Sequence, residues 1–387
     1  MISTEMARKY KICTRCVMDT TDPDIVFDEQ GVCNHCYTYD EMIRKYVFIG
    51  EEGRKRLESI VNEIKIAGKD KEYDCIIGVS GGVDSTSVAY KVKELGLRPL
   101  AVHLDNGWDS ELAVKNIEQA LKMLNIDLYT HVINWEEFKD LQLAFLRAST
   151  PDSEIPSDHA IVSLMYQMAE KVGTKYVLAG YNAKTESHLP SAWSKGYWDW
   201  KYIKSVSKQF GRVKLKTFPH VDFWTLRRYT HTQNWIHILN YLDYNKKDAK
   251  DILIKKLNWK DYGWKHHESI YTRFYQGYIL LHKFGYDKRK VHLSSLICAG
   301  ETSRDEALIE LQKEPYPLQM QMEDKQYVIK KLNISEEEFE NIMRLPKKSF
   351  WDYPSYAKWY ETKSFKTMLS IYQFSKKGIS CWSPSHE

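Results

Sequence analysis

The sequence predicts an α/β protein in which a parallel sheet carries helices on both faces. A small zinc-ribbon-like unit precedes the sheet and a mostly helical lobe follows it. Three patterns lead to that reading. Short apolar runs alternate with amphipathic stripes between Tyr73 and Gly180. Four cysteines crowd into residues 13–36, and the strand signal fades after Pro190.

The elements follow in order. The first run, Cys75 to Val79, is closed by Ser80-Gly81-Gly82. Val88, Ala89, Val92 and Leu95 then share one helical face over 84–95, and Gly96 is a natural stop. Pro99 to Leu104 reads as the second strand. Asp109-Ser110 reads as a cap, and Ala113, Ile117, Ala120, Leu121 and Leu124 form the next stripe. Asp127 to Ile133 gives a third strand, 158–171 a helix, and Lys175 to Gly180 a fourth strand. Strand and helix alternate, as a parallel sheet requires.

The expected division is 1–45 for the cysteine unit, 46–72 for a helical connector, 73–190 for the sheet domain and 191–387 for the helical lobe. In that lobe helices are expected over 270–284, 304–312 and 335–343. Its aromatics, Trp193 and Trp200 among them, read as core before ligand shelf.

Composition narrows the function classes. With 387 residues, 43% hydrophobic and 13% aromatic, the chain has material for two or three domains and is too apolar for disorder over most of its length. The 56 Lys+Arg against 52 Asp+Glu leave a net charge of +4, no electrostatic case for a dedicated nucleic-acid binder. No apolar run approaches the roughly 18 residues of a membrane helix, and the opening residues lack the apolar core of a secretory signal. A cytoplasmic protein without membrane insertion is expected.

Seven cysteines are present. Cys13-x-x-Cys16 and Cys33-x-x-Cys36 are separated by 16 residues, a spacing that lets two knuckles close a tetrahedron around zinc. Four thiolates leave no open position, so the expected role is structural. His35 reads as a bystander. Cys75, Cys298 and Cys381 stand apart from the set.

Ser80-Gly81-Gly82-Val83-Asp84-Ser85 follows a buried-type strand and opens a helix. Glycines there permit close backbone approach, and the helix N-terminus offers free amides to an anion. Ser80 and Ser85 add hydroxyl donors, and Asp84 would hold magnesium or brace the loop. No GxxxxGK[ST] motif is present.

SGGVDS resembles the pyrophosphate loop of the N-type ATP pyrophosphatases, the group that contains asparagine, GMP and NAD synthetases and tRNA thiolases. That resemblance implies an adenine-nucleotide hydrolase-like sheet and cleavage of ATP between its α and β phosphates. LDNGWDS (104–110) and LAGYNAKTES (178–187) are similar in kind, which implies nucleotide contacts from His103, Asp105, Gly180, Asn182 and Glu186. The cysteine unit, the loop, KHHESIYTRFYQGYIL (265–280) and KFGYDKRKVHLSSLICAGETSRDEAL (283–308) together resemble the N-acetyl sugar amidotransferases. Such enzymes turn an acetamido group into an acetamidino group in surface-polysaccharide and flagellar-sugar synthesis. The resemblance implies ATP, Mg2+ and Zn2+ as cofactors and a nucleotide-linked N-acetyl sugar as substrate.

An amide oxygen is a poor leaving group until adenylation makes it part of AMP, after which ammonia can attack the imidate carbon. Charge neutralisation, alignment and exclusion of water are the tasks left to the protein. Lys288 and Arg289 are candidates for phosphate contacts, with a solvated basic turn as the bland alternative. His266 or His267 would relay a proton or hold the sugar, against the equally common structural histidine. Asp158 and His159, and Asn182 with Glu186, follow strands or open helices and are weaker candidates for the cleft border at the strand C-terminal ends. Two rivals remain: a tRNA thiolase, which also pairs zinc units with such loops, and a non-enzymatic zinc-ribbon adaptor, which leaves the loop unexplained. No cysteine sits in a nucleophile elbow, and Met1-Ile2-Ser3 offers no terminal-cysteine nucleophile. Ammonia is therefore expected from a separate glutaminase subunit, of the class-I type by resemblance.

Overall fold

The computed structural model describes residues 9–263 and 267–360. Five strands form one sheet: β1 (Cys75–Gly78), β2 (Pro99–Asp105), β3 (Asp127–Val132), β4 (Tyr176–Ala179) and β5 (Asn234–His237). They lie in the order β3-β2-β1-β4-β5, and every pairing is parallel. Central β1, β2 and β4 are almost wholly buried, as strands covered on both faces must be, whereas edge strand β3 is largely exposed.

Period-two alternation splits the core into two layers. On one face Ile76, Leu100, Val102 and Val177 pack with α5 (Trp135–Ala148) and α6 (Ile155–Lys171). On the other, Cys75, Ile77, Ala101 and Leu178 pack with α2 (Gly50–Ala67), α3 (Val83–Glu94) and α4 (Glu111–Leu124). The connector is thus a sheet-covering helix, seated through Leu57, Val61 and Ile64. No helix among the described residues is long and apolar enough to cross a membrane.

Two elements differ from the sequence reading. Residues 135–148, unassigned there, form α5, whose Phe138, Leu141 and Phe145 are fully buried. The fifth strand comes from beyond residue 190, where only helices are expected. Asn234–His237 is a short edge strand, too brief for a periodic signal, and it is fixed by its pairing with β4. In the later chain, 270–284 is helical as expected. It changes after Phe274 into a ten-residue π-helix, Tyr275–Phe284.

The topology dictates where a ligand fits. The chain leaves β1 toward β2 on one side, while β4 lies on the other, so the loops after β1 and β4 diverge. A crevice opens at such a switch point, at the carboxyl ends of the strands.

Candidate functional site

The crevice is a cavity of about 270 Å³ lined by Ser80, Gly82, Asp84 and Ser85 after β1 and by Gly180 and Glu186 after β4. Six residues singled out in the sequence therefore meet in one place. Within the loop, the Ser80 and Ser85 hydroxyls stand 3.2 Å apart and the Ser80 amide donates to Ser85 Oγ. Gly82 is the N-cap of α3 and carries no capping side chain, so the first-turn amides of Asp84 and Ser85 have no intrahelical acceptor. Gly81 holds φ at +77°, and its carbonyl accepts from Trp259 Nε1 at 2.9 Å. Gly180 lets β4 run against the start of α3, since an added Cβ would lie 3.2 Å from the Ser85 nitrogen.

Lys246, Lys250, Tyr262 and Glu268 also line the wall, none assigned a site role in the sequence. Tyr244 Oη donates to Asp84 Oδ1 at 2.6 Å, and Lys246 Nζ lies 3.1 Å from Asp84 Oδ2. Burial lowers the Lys246 pKa, but the charges of Asp84 and Glu186 outweigh it and the net shift is upward. Lys246 is the first residue of the helix Lys246–Leu257, where the helix dipole disfavours a cation. That misplaced charge is the signal by which it could have been found. The Val83 amide donates to Tyr262 Oη at 3.2 Å, so Tyr262 closes the loop from above. Among these described groups Asp84, Glu186 and Glu268 oppose Lys246, since Lys250 is paired with Asp261. Asp84 and Glu186 are carboxylates of the kind that would hold a divalent cation beside a bound polyphosphate.

Other candidates fall outside the wall. His103 is buried between the Val79 carbonyl (3.0 Å) and Asp109 (3.3 Å). Burial pulls its pKa down, but Asp109 reverses this and the net shift is upward. Asp105 accepts the Gly107 amide, and Asn182 caps the short helix Ala183–Glu186 through the Thr185 amide. All three shape loops at the strand ends. Arg289 is committed: it pairs with Asp287 and donates to the Glu310 and Lys313 carbonyls. His159 stacks on Trp200 with its Nδ1 on the Tyr197 carbonyl, and burial pushes its pKa down to about 4. Trp193 and Trp200 are core. His267 and Lys288 line a second cavity that shares Lys246 and Gly263 with the first. His266 and Cys381 lie outside the described residues.

Cys13, Cys16, Cys33 and Cys36 are fully buried with their sulfurs within 4.8 Å of one another. Separations of 3.8 Å (Cys13–Cys36), 3.6 Å (Cys16–Cys33) and 3.7 Å (Cys33–Cys36) match the roughly 3.8 Å edge of a tetrahedron with Zn–S bonds of about 2.3 Å. The donor set and its spacing fit zinc. Beside it His188 points Nε2 at Cys298 Sγ, 3.7 Å away. Arg304 donates to the Cys13 and Cys16 carbonyls and Val17 to Ser294 Oγ, which ties the unit to the late helices. His35 is bonded to Asp22 at 2.6 Å and takes no part in the cluster.

Strand order, a glycine-rich loop at the switch point and a cavity reaching from that loop to β4 define an α/β protein with a parallel sheet and a candidate anion site at the strand ends. Residues 268–366 match the family model described as "LPS biosynthesis protein WbpG-like, C-terminal domain", and over that segment the chain is similar to this family. It is also similar to the tRNA-specific 2-thiouridylase MnmA of Staphylococcus epidermidis, at 25% identity over 132 residues, 31% of this chain and 36% of that protein. For the Clostridioides difficile MnmA the figures are 29% over 127 residues, 29% and 35%. The chain thus spans about a third of the length of these curated relatives. Similar solved structures include the NH3-dependent NAD synthetase of Campylobacter jejuni, with TM-score 0.27, 19% identity, 34% of this chain and 58% of that one. NMN synthetase of Francisella tularensis gives TM-score 0.32 and 15% identity over 77% of this chain and 99% of that one.

Proposed function

We propose that the protein is an ATP-dependent amidotransferase that converts the acetamido group of a nucleotide-linked N-acetyl sugar into an acetamidino group, in surface polysaccharide or flagellar sugar synthesis. One observation carries the reading. The WbpG-like segment begins at Glu268, and that residue forms part of the phosphate-loop cavity. Its carbonyl accepts the Ser110 amide at 2.8 Å, and the Ile270 amide donates to Trp108 at 2.9 Å, so the domain is stitched to the loop after β2.

The loop amides and the hydroxyls of Ser80 and Ser85 would grip the departing pyrophosphate, with magnesium held by Asp84 and Glu186 screening its charge. The amide oxygen attacks the α-phosphorus, the α–β bond breaks, and AMP later leaves with that oxygen as ammonia adds to the carbon. Lys246, in the cavity wall, would stabilise charge on the α-phosphate. Zinc in the four-cysteine unit would be structural, holding the N-terminal segment against the late helices. A cytoplasmic setting suits both ATP and reduced thiolates.

Among the described residues no cysteine lines either cavity: Cys75 begins β1, and Cys298 faces His188. That disfavours a sulfur-carrying mechanism, the rival raised by the thiouridylase similarity, and it favours a separate class-I-type glutaminase as the ammonia source. The test is to incubate the protein with ATP, magnesium, an ammonium salt and candidate nucleotide sugars. Sugar-dependent release of AMP and pyrophosphate with amidine formation is expected. Turnover to ADP, or AMP release indifferent to the sugar, would overturn the reading.

A further inference from the structure

Among the described residues Cys36 belongs to two groups of metal-ligand atoms. Its sulfur lies within 4.8 Å of those of Cys13, Cys16 and Cys33, and also within 4.8 Å of a His188 ring nitrogen and the Cys298 sulfur. The second group is assembled from three parts of the chain. Cys36 stands on the helix Asn34–Tyr46, Cys298 ends the helix Lys288–Cys298, and His188 follows shortly after the short helix Ala183–Glu186. A tetrahedron around the first ion is complete without His188 or Cys298, and the phosphate-loop cavity uses neither.

The hydrogen bonds fix which face His188 presents. Ser295 Oγ donates to the Val291 carbonyl at 3.2 Å, so toward His188 Nδ1, 3.0 Å away, it accepts. The proton of the neutral imidazole therefore sits on Nδ1, and Nε2 turns its lone pair to Cys298 Sγ at 3.7 Å. Ordinary zinc bonds of about 2.3 Å to sulfur and about 2.05 Å to nitrogen give a tetrahedral edge of roughly 3.6 Å, close to that separation. The ring is held in place: it is fully buried and packs against Tyr39, centroid to centroid 5.2 Å.

Electrostatics favour a cation at this point. Two sulfurs and an imidazole lone pair converge there, and electron-rich groups so placed attract a metal ion between them. The four buried thiolates outweigh the charge of one dication, and a second cation beside Cys36 reduces a negative charge held away from water. Arg15, whose guanidinium feels the charges of Cys36 and Cys298, is already committed to a two-pronged pair with Asp40.

We propose that Cys36, His188 and Cys298 bind a second zinc ion, with the Cys36 thiolate bridging it to the first and its fourth position left to water. Two sulfurs and one imidazole select zinc over hard cations such as magnesium. The ion would pin the chain just beyond Glu186, a residue of the phosphate-loop cavity, to the cysteine unit and to the end of the helix Lys288–Cys298. The site stands whether or not the protein acts on a sugar.

The full chain, treated with a mild chelator and kept reduced with a phosphine, is titrated with zinc, and bound metal is counted by native mass spectrometry. One equivalent should survive the chelator and a second should bind on titration, since three protein donors hold an ion less tightly than four. Cys298→Ala and His188→Gln should each lose the second equivalent and keep the first. Cys298 is only partly buried, so its replacement gives a reading even where that of the buried histidine disturbs folding. Ser295→Ala, which releases the imidazole from its acceptor, should weaken the second ion about 10–100-fold. With cadmium in place of zinc, two NMR resonances that split one another would report the shared sulfur. Wild type that saturates at one equivalent would overturn the proposal and leave His188 and Cys298 as hydrogen-bonding neighbours of a single zinc. A second equivalent retained in both folded variants would overturn it as well.

Discussion

Lys246 Nζ lies 3.1 Å from Asp84 Oδ2 while Tyr244 Oη holds the other oxygen of the same carboxylate at 2.6 Å. Two residues from one segment thus lock the acidic member of the phosphate loop before any ligand arrives. The pair is part-buried, with each side chain about one-fifth exposed, and removing one partner leaves the other charge without its counterion. Lys246→Ala should lower the melting temperature and reduce kcat/KM for ATP by at least about a hundredfold, near 2.7 kcal/mol. Scanning calorimetry and AMP release measure both.

The two loop glycines should separate folding from chemistry. A Cβ at Gly81 would sit 2.5 Å from the Ala113 carbonyl oxygen at a φ of +77°, so Gly81→Ala should destabilise the packing of α3 on α4. At Gly82 the nearest atoms, at 3.2–3.3 Å, are the side-chain oxygens of Glu268, Ser80 and Tyr262. These can yield, so Gly82→Val should stay folded and keep its metal while losing turnover. Normal AMP production by folded Gly82→Val would show that phosphate does not rest on this loop.

Much of this site was legible in the sequence because strand, glycine turn and helix follow one another within a dozen residues. Ser80, Gly82, Asp84 and Ser85 needed no tertiary information, and neither did the cysteine spacing. Gly180 came from the resemblance and Glu186 also from its place just after the fourth strand, and the cavity wall includes both. Lys246 and Glu268 were hidden because each reaches the loop only through packing, from a helix start and from the isolated bridge Asp109–Ser269. Strand β5 was hidden for the same reason: four residues at a sheet edge carry no period. Arg289 illustrates the opposite error, since a basic turn that invites a phosphate is satisfied by Asp287 and backbone carbonyls.

Removing one thiolate should loosen two places at once. Cys33→Ser is expected to drop zinc below one equivalent, and the Arg304 bonds to the Cys13 and Cys16 carbonyls should weaken with it. Metal analysis together with hydrogen exchange across 304–311 would register both changes. Wild-type protein purified under reducing conditions without zinc would speak against a structural metal.

Stability should carry the mark of Asp152. Burial, reinforced by Glu154 and opposed by Lys288, pushes its folded pKa from 3.8 up to about 6. A carboxyl whose folded pKa is raised stabilises the fold while protonated, and that contribution is lost as pH rises from about 4 through 6. The melting temperature of wild type should therefore fall relative to Asp152→Asn across that window. Parallel curves for the two proteins would show that Asp152 titrates normally.

The nitrogen source should be ammonia itself. Alone, the chain should use a high concentration of ammonium, more efficiently at raised pH where more is unprotonated, and be nearly inert with glutamine. Efficient glutamine-dependent turnover by the purified single chain would contradict a separate glutaminase.

The central claim is that the amide oxygen is adenylated and departs in AMP. It is tested most directly with a nucleotide sugar whose acetamido carbonyl carries heavy oxygen, incubated with the protein, ATP, magnesium and ammonium and followed by mass spectrometry. The account predicts one heavy oxygen in each AMP formed, an unlabelled pyrophosphate, and a sugar product with nitrogen in place of that oxygen. Heavy oxygen retained in the sugar while AMP stays unlabelled would contradict it.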